Sequence, residues 1–138
     1  MKLDDEMIEK LVDRAIQMRE NAYAKYSDFL VGAAILGSDG NIYSGCNIEN
    51  VSFSATVCAE RTALFNGVTN GCTSFEAIAI AGAKRGEKLD FCYPCGVCRQ
   101  VMLQFAELKK FKIILVNERR EYKIHTLDEL MPGAFDSF

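Results

Sequence analysis

The sequence has no apolar run that approaches the roughly 20 residues needed to span a membrane, so we expect no membrane segment. The first residues, Met1–Glu6, are polar and acidic, which predicts no signal peptide and a cytoplasmic protein. No basic patch stands out apart from the short pairs Lys109–Lys110 and Arg119–Arg120, and the formal net charge is −3. Because binding to a nucleic-acid polymer requires clustered cations that neutralise phosphates, we expect no such partner.

Histidine is scarce as well, since His125 is the only one in the chain. It falls in a predicted edge strand and follows no metal-ligand spacing, so we interpret it as an ordinary, partly exposed side chain. The six cysteines are a larger supply of ligands. In a cytoplasmic chain they are expected to be thiols or metal ligands rather than disulfides.

The length of 138 residues suits a single domain, 1–138, and 49% of the residues are apolar. Hydrophobic periodicity and turn residues predict helices over 4–24, 58–70, 95–108 and 126–130, and strands over 29–36, 42–46, 75–83, 112–116 and 122–125. Hairpins combined with helical crossovers indicate an α/β fold, a three-layer α-β-α arrangement around a five-stranded mixed sheet. A chain of this size has little room for a deep pocket, so a pocket completed by neighbouring subunits is plausible.

The pair Cys95-x-x-Cys98 is a weak signal by itself, because it fits a redox pair, half of a structural zinc site or two buried thiols. Pro94 precedes the pair and a helix follows, so both thiols lie in a first helical turn, where the helix dipole favours thiolates. Cys58 has the same position at the start of another predicted helix. Three thiolates would leave one open position on a tetrahedral zinc ion, which is typical of a catalytic site.

Glu60 and Arg61 follow Cys58 directly, and each has two interpretations. Glu60 either stabilises the positive end of the helix dipole or leans over the open position and moves protons between water and a substrate nitrogen. Arg61 is either a surface residue or a guanidinium that donates to a thiolate sulfur and offsets the negative charge of the centre.

Two other classes of protein stay open on this pattern. The run Cys92-x-x-Cys95-x-x-Cys98 resembles part of an iron–sulfur ligand set, although it lacks a fourth nearby cysteine and the proline after it. A non-enzymatic metal module, or a thiol-redox protein that uses Cys95 and Cys98, would therefore also contain these residues.

The sequence resembles the zinc-dependent cytidine deaminases of the short, homotetrameric, three-cysteine type. Five stretches carry the resemblance, and together they span most of the chain: Cys58–Ala63, Pro94–Gln100, Ala24–Ala34, Gly45–Asn50 and Leu130–Phe135. The resemblance implies hydrolytic deamination of cytidine and deoxycytidine to uridine and deoxyuridine, with release of ammonia, as in pyrimidine salvage. A related aminopyrimidine nucleoside such as blasticidin S is the alternative substrate.

The resemblance also implies a role for each matching residue. Cys58, Cys95 and Cys98 correspond to the zinc ligands, and Glu60 corresponds to the proton shuttle. Arg61 is then interpreted as a residue that adjusts the charge of the zinc centre.

The implied side-chain contacts to the substrate come from three further stretches of the chain. Asn47 and Glu49 match the pair that holds the ribose hydroxyls, and Phe29 matches an aromatic residue of the pyrimidine pocket. Phe135 matches an aromatic residue that stacks on the base from a neighbouring subunit of a homotetramer with shared active sites.

Two backbone groups complete the implied set, and three residues depart from the family pattern. The Ala59 N–H is expected to meet the pyrimidine carbonyl, and the Tyr93 carbonyl is expected to accept a hydrogen bond from the departing amine. Phe53 replaces the usual Tyr, Tyr93 replaces a small Ser or Thr, and Lys25 replaces a Pro, which should loosen its loop. These departures bear on substrate range and rate rather than on the type of reaction.

Overall fold

A computed structural model describes residues 3–138. Met1 and Lys2, the first residues of the predicted domain, lie outside the described residues. Apart from two short 3-10 helices, Arg19–Asn21 and Phe53–Ala55, the described residues form nine α-helices and strands in the predicted order. They are α1 (Asp5–Met18), β1 (Phe29–Gly37), β2 (Ile42–Cys46), α2 (Ala59–Thr69), β3 (Phe75–Lys84), α3 (Gly96–Phe105), β4 (Lys112–Val116), β5 (Tyr122–Thr126) and α4 (Leu127–Leu130).

The five strands form one sheet in the order β2-β1-β3-β4-β5. The pairs β1–β2, β1–β3 and β4–β5 are antiparallel, whereas β3 and β4 are parallel. The tight turn after Gly37 closes the β1–β2 hairpin, and α3 provides the crossover that a parallel pair requires. The prediction of a five-stranded mixed sheet is therefore confirmed.

The side chains of β1 alternate between two apolar clusters, as the pleat of a strand requires. Ala34 and Leu36 pack with α1 on one face of the sheet. Ala33 and Ile35 pack with α2 and α3 on the other face. Because both faces are covered by helices, the predicted three-layer α-β-α arrangement is confirmed.

Two glycines allow helices to lie directly on the backbone of the sheet, one on each face. A Cβ atom at Gly32 would lie 1.9 Å from the carbonyl oxygen of Ala15 in α1. A Cβ atom at Gly45 would lie 2.5 Å from the backbone nitrogen of Ala63 in α2. Any side chain at these positions would have to push a helix away from the sheet.

Helix α1 is shorter than predicted, since it ends at Met18 rather than near Ala24. Its N-terminus agrees with the prediction, because the Asp4 side chain accepts a hydrogen bond from the Met7 N–H. At the other end, Arg19 donates to the carbonyl oxygens of Leu30 (2.9 Å) and Ala83 (3.1 Å), on β1 and β3. A 3-10 helix, Arg19–Asn21, follows α1 directly, so Arg19 anchors the end of α1 to the sheet where the helix tightens, which periodicity alone does not reveal.

Helix α3 is also shorter than predicted, because it ends at Phe105 rather than near Leu108. The next residue, Ala106, is extended and forms a β-bridge with Phe75 at the start of β3. Within residues 3–138, no helix combines the length and the apolar character that crossing a bilayer demands.

Candidate metal centre and adjoining cavity

Two helix N-termini bring three cysteines together. Cys58 is the N-cap residue of α2 and Cys95 is the N-cap residue of α3, while Cys98 lies in the first turn of α3. The Cys58 and Cys95 sulfurs are 3.8 Å apart, and those of Cys95 and Cys98 are 3.5 Å apart. All three sulfurs lie within 4.8 Å of one another, so the predicted ligands form one cluster.

The spacing of this cluster fits zinc. A tetrahedral ion with Zn–S bonds of about 2.3 Å separates its sulfur ligands by about 3.8 Å, close to the separations found. All six cysteines of the described chain are free thiols, so none of the three is consumed by a disulfide. Three sulfur ligands without a fourth leave one position open, which suits a catalytic rather than a structural ion.

The electrostatic surroundings favour a thiolate at Cys58. Hydrogen bonds from Cys98, Arg61 and Cys95 lower the pKa of the Cys58 thiol to about 5, against the opposing effect of burial. The Cys98 thiol, which donates to Cys58 and is buried, has its pKa raised instead. Both helix N-termini add partial positive charge at the cluster, which further favours negatively charged sulfur.

Arg61 points to the cluster rather than away from it. Its Nη2 atom lies 3.6 Å from the Cys58 sulfur. Its Nε atom is the single buried side-chain nitrogen or oxygen without a hydrogen-bond partner among residues 3–138. This placement matches the interpretation of Arg61 as a donor to thiolate sulfur.

Glu60 is buried at the same place, with 5% of its surface exposed. Burial raises the pKa of its carboxyl to about 7, so the group is poised between its two protonation states near neutral pH. A carboxyl with such a pKa can both accept and return a proton, as general acid–base catalysis requires.

A cavity of about 200 Å³ opens beside the cluster. It gathers most of the predicted site residues, namely Phe29, Asn47, Glu49, Cys58, Ala59, Glu60, Tyr93 and Cys95. Cys98 lies fully buried in the core and is not part of the lining. The Ala59 N–H is the first of α2, and the first N–H groups of a helix have no partner within it, so this donor is available at the cavity wall.

Asn47 and Glu49 make contacts within the chain that the sequence did not predict. The Asn47 amide accepts from the Val31 N–H (3.0 Å) and donates to the Phe29 carbonyl (2.8 Å), which ties the chain after β2 to β1. One Glu49 carboxylate oxygen accepts from two N–H groups of the loop before β1, those of Tyr26 (3.0 Å) and Ser27 (2.9 Å). The two side chains therefore shape the wall of the cavity.

Two predicted or discussed residues lie away from this cavity. Phe135 is 62% exposed, and its carbonyl accepts a hydrogen bond from the Gln100 side chain (2.8 Å). In the described chain it does not line the cavity. Phe53 is 84% exposed and borders a neighbouring concavity instead, together with Tyr26 and Glu49.

Sequence reasoning missed Ser27 and Cys92. The Ser27 hydroxyl donates to Glu49 and accepts from the Phe29 N–H (3.0 Å), so it links the carboxylate to the pocket aromatic residue. Cys92 lines the cavity, and burial raises the pKa of its thiol to about 12. A Cβ atom at Gly82 would lie 2.8 Å from the Cys92 sulfur, so that thiol packs on the backbone of β3. No local pattern marks such long-range contacts.

Comparison with known proteins gives a consistent result. Residues 5–115 match the family described as the cytidine and deoxycytidylate deaminase zinc-binding region. Because the family binds zinc and the three predicted ligands form one cluster, the prediction of a zinc cofactor is confirmed.

Individual relatives agree over nearly the whole chain. The chain is 44% identical to the cytidine deaminase of Sporosarcina psychrophila (93% of this chain, 90% of that protein) and 46% identical to that of Halalkalibacterium halodurans (91% of each). The solved cytidine deaminase of Burkholderia pseudomallei superposes with a TM-score of 0.82 at 40% identity, covering 92% of this chain and 98% of that one. That of Mycobacterium tuberculosis gives 0.79 at 34% identity, covering 97% and 98%. The resemblance drawn from the sequence is thus confirmed, and the chain belongs to the cytidine and deoxycytidylate deaminase family.

Proposed function

We propose that this chain hydrolyses cytidine and deoxycytidine to uridine and deoxyuridine. One observation carries the proposal: a cluster of three thiols spaced for zinc, two of which line a cavity, lies beside a buried carboxylate that lines the same cavity. The relatives named above, which match nearly the whole chain, are cytidine deaminases. In the reaction, a water oxygen bonds to the ring carbon that carries the amine, the C–N bond breaks and ammonia leaves.

Cys58, Cys95 and Cys98 would hold the zinc, which when bound supplies a Lewis acid that makes water easier to deprotonate. Glu60 is the proton carrier in this proposal, because it is the only buried carboxylate within residues 3–138 and lines the cavity. It holds the proton taken from water, delivers it to the ring nitrogen and then assists the departing amine. Arg61 reduces the negative charge that three thiolates build up.

The remaining predicted residues would bind the nucleoside. The Ala59 N–H donates to the pyrimidine carbonyl, the Tyr93 carbonyl accepts from the amine, and Phe29 packs against the ring. Asn47 and Glu49 bind the sugar hydroxyls through the hydrogen-bonding positions that their contacts to the chain do not use. Each Asn47 amide atom can form a further hydrogen bond, and so can the carboxylate of Glu49.

The test is the loss of ultraviolet absorbance of cytidine and deoxycytidine, with zinc per chain measured on the same sample. We expect about one zinc per chain and turnover that a chelator abolishes and added zinc restores. Blasticidin S serves as the competing substrate, and faster turnover of it than of either nucleoside would contradict the proposal. A brown protein with iron and sulfide, or a Cys95–Cys98 disulfide that cycles with reductant in a metal-free protein, would favour the two non-enzymatic alternatives.

We further propose a homotetramer with shared active sites, acting in the cytoplasm in pyrimidine salvage, with residues 1–138 as one domain. Several large apolar side chains are exposed on the described chain, which supports association: Tyr23, Tyr26, Ile48, Val51, Phe53 and Phe65. Phe135 is exposed and lies away from the cavity of its own chain, as a residue contributed to a neighbour would.

Light scattering should give four times the 15.4-kDa mass of one chain. Mixed tetramers of Phe135→Ala and Glu60→Gln chains should be more active than either parent. A monomeric active enzyme would contradict this part of the proposal.

A further inference from the structure

Tyr93 stands between the metal centre and the surface. It lines the same cavity as Cys58 and Cys95, two residues before Cys95 in the chain. It is nevertheless 42% exposed, so its ring is not part of the core. An exposed aromatic ring beside a reaction site needs support if it is to stay in one place.

His125 supplies that support from the edge strand β5. The two rings are 5.7 Å apart between centroids and tilted by 47°, and the Tyr93 hydroxyl lies 3.5 Å from His125 Nε2. The other ring nitrogen, Nδ1, lies 3.5 Å from the Glu129 carboxylate. That carboxylate is itself fixed by the capping box of α4, where it accepts from the backbone and hydroxyl of Thr126.

The backbone next to Tyr93 is also held in place. The following residue, Pro94, restricts Tyr93 to extended conformations. The Arg99 side chain donates to the Pro94 carbonyl (2.8 Å) and to the Leu130 carbonyl at the end of α4 (2.7 Å). Ring and backbone are thus both tied to the α4 region, so Tyr93 forms a fixed wall.

We propose that Tyr93 is a specificity-determining residue that limits the leaving group to an unsubstituted amine, and that His125 is the positioning residue that holds its ring. This inference depends on the proposed function. The ring carbon that reacts has to lie beside the cysteines and Glu60, and Tyr93 borders the cavity there, two residues before Cys95, so we place the amine on that carbon next to Tyr93. A methyl group on the amine would then meet the tyrosine ring.

The probe is N4-methylcytidine, compared with cytidine. Its hydrolysis follows the same balance: the water oxygen bonds to the ring carbon, the C–N bond breaks and methylamine leaves. We expect Tyr93→Ser to raise the ratio of kcat/KM for N4-methylcytidine over cytidine by about tenfold or more. Tyr93→Phe keeps the ring and should keep the ratio, whereas His125→Ala should raise it by a smaller factor.

Ile124→Ala is the matched control, because it shortens an exposed side chain on the same strand as His125 and should leave the ratio unchanged. A variant that merely folds poorly lowers both rates together and does not move the ratio. An unmoved ratio in Tyr93→Ser would overturn the inference while cytidine turnover stands. Absence of cytidine turnover in the zinc-loaded wild type would instead defeat the proposed function.

A second measurement needs no turnover. His125 is the only histidine, so a protein free of a histidine tag gives a single Cε1–Hε1 resonance in a carbon–proton correlation spectrum with labelled histidine. Tyr93→Ser should shift that resonance because the neighbouring aromatic ring is lost, and Tyr93→Phe should shift it much less. If Tyr93→Ser leaves the resonance in place, His125 does not hold the ring and its positioning role is wrong.

Discussion

The cavity has a metal end at Cys58 and Cys95 and an opposite end at Asn47 and Glu49, which we call the sugar end after their proposed ligand, and the two ends are built in different ways. At the metal end, Cys58 and Cys95 are N-cap residues, and in the described structure neither side chain caps its own helix. Their sulfurs are therefore held by helix backbone and stay available to an ion. At the sugar end, Asn47 and Glu49 are already hydrogen-bonded to the chain around β1. At the metal end, the two N-cap side chains are thus free for the reaction and do not cap their helices. At the sugar end, the same side chains are proposed to bind substrate and also connect parts of the fold.

The largest effect is expected from Cys95→Ala, which removes a ligand from the metal end. Zinc per chain should fall to nearly zero and deamination should be lost, because two thiolates hold the ion far more weakly than three. Elemental analysis and the melting temperature with and without zinc check this. Cys46→Ala is the control, since Cys46 is a buried thiol outside the cluster and its loss should leave the zinc in place.

Glu60→Gln comes next and separates proton transfer from metal binding. We expect turnover to fall by about a thousandfold or more while zinc per chain stays near one. Stability should not fall, because replacing a buried carboxylate by a neutral amide removes the cost of burying charge. Glu107→Gln, at an exposed surface ion pair, should behave as wild type. Near-normal activity in Glu60→Gln would mean that another group carries the proton.

Asn47→Ala probes the sugar end, where we expect binding and folding to fail together. The change leaves the Val31 N–H and the Phe29 carbonyl without their partner, which should cost about 2 kcal/mol of unfolding free energy in denaturant titrations. KM should rise while zinc stays bound. Asn66 is the control, because its hydrogen bonds are exposed and water can replace them, so Asn66→Ala should leave KM unchanged and lower the free energy of unfolding much less than Asn47→Ala. A stable Asn47→Ala protein with raised KM would show that this end is built like the metal end.

The smallest effect is expected from Glu49→Gln, which should lower the free energy of unfolding by about 1 kcal/mol. The amide can accept only part of the hydrogen bonds that the carboxylate accepts. Burial opposes ionisation of Glu49, but the donors of Ser27 and Tyr26 outweigh it and lower its pKa. The stabilisation is therefore present above the unfolded pKa of about 4.3 and is lost as the pH falls through the folded pKa. Wild type should lose stability in this range and Glu49→Gln should lose less. A double-mutant cycle of Glu49→Gln and Ser27→Ala measures the interaction free energy between the two residues. Additive effects of the two changes on the free energy of unfolding would contradict a stabilising contact between them.

The difference between the two ends also explains what the sequence could predict. The metal end depends on positions within two helix starts, and Cys58, Cys95 and Cys98 could be identified from local spacing and a family resemblance. The bounds of β2 and β4 were predicted correctly, because turn residues or charged residues flank short apolar runs. The family resemblance also identified Asn47 and Glu49 as expected contacts of the sugar. It did not predict their hydrogen bonds to other parts of the chain.

The contacts that the sequence did not reveal all join segments far apart in the chain. Arg19 anchors the end of α1 to carbonyls of β1 and β3, and Ala106 follows α3 as an extended residue that pairs with Phe75. Ser27 enters the site because Glu49 lies across from its loop. Which residues meet in such contacts depends on strand register and on where the helices lie. The hydrophobic periodicity of a single segment gives no information about either.

The two glycines under the helices have a consequence for how this protein can change over evolutionary time. At Gly32 and Gly45 even an alanine would have its methyl carbon inside the contact distance of a helix backbone on the opposite side. In a library with every amino acid at every position, both sites should therefore accept glycine alone under selection for the folded protein. Substitutions that change substrate preference would then have to occur at other positions. The loops around the cavity can change in this way while the sheet and its helices keep their contacts.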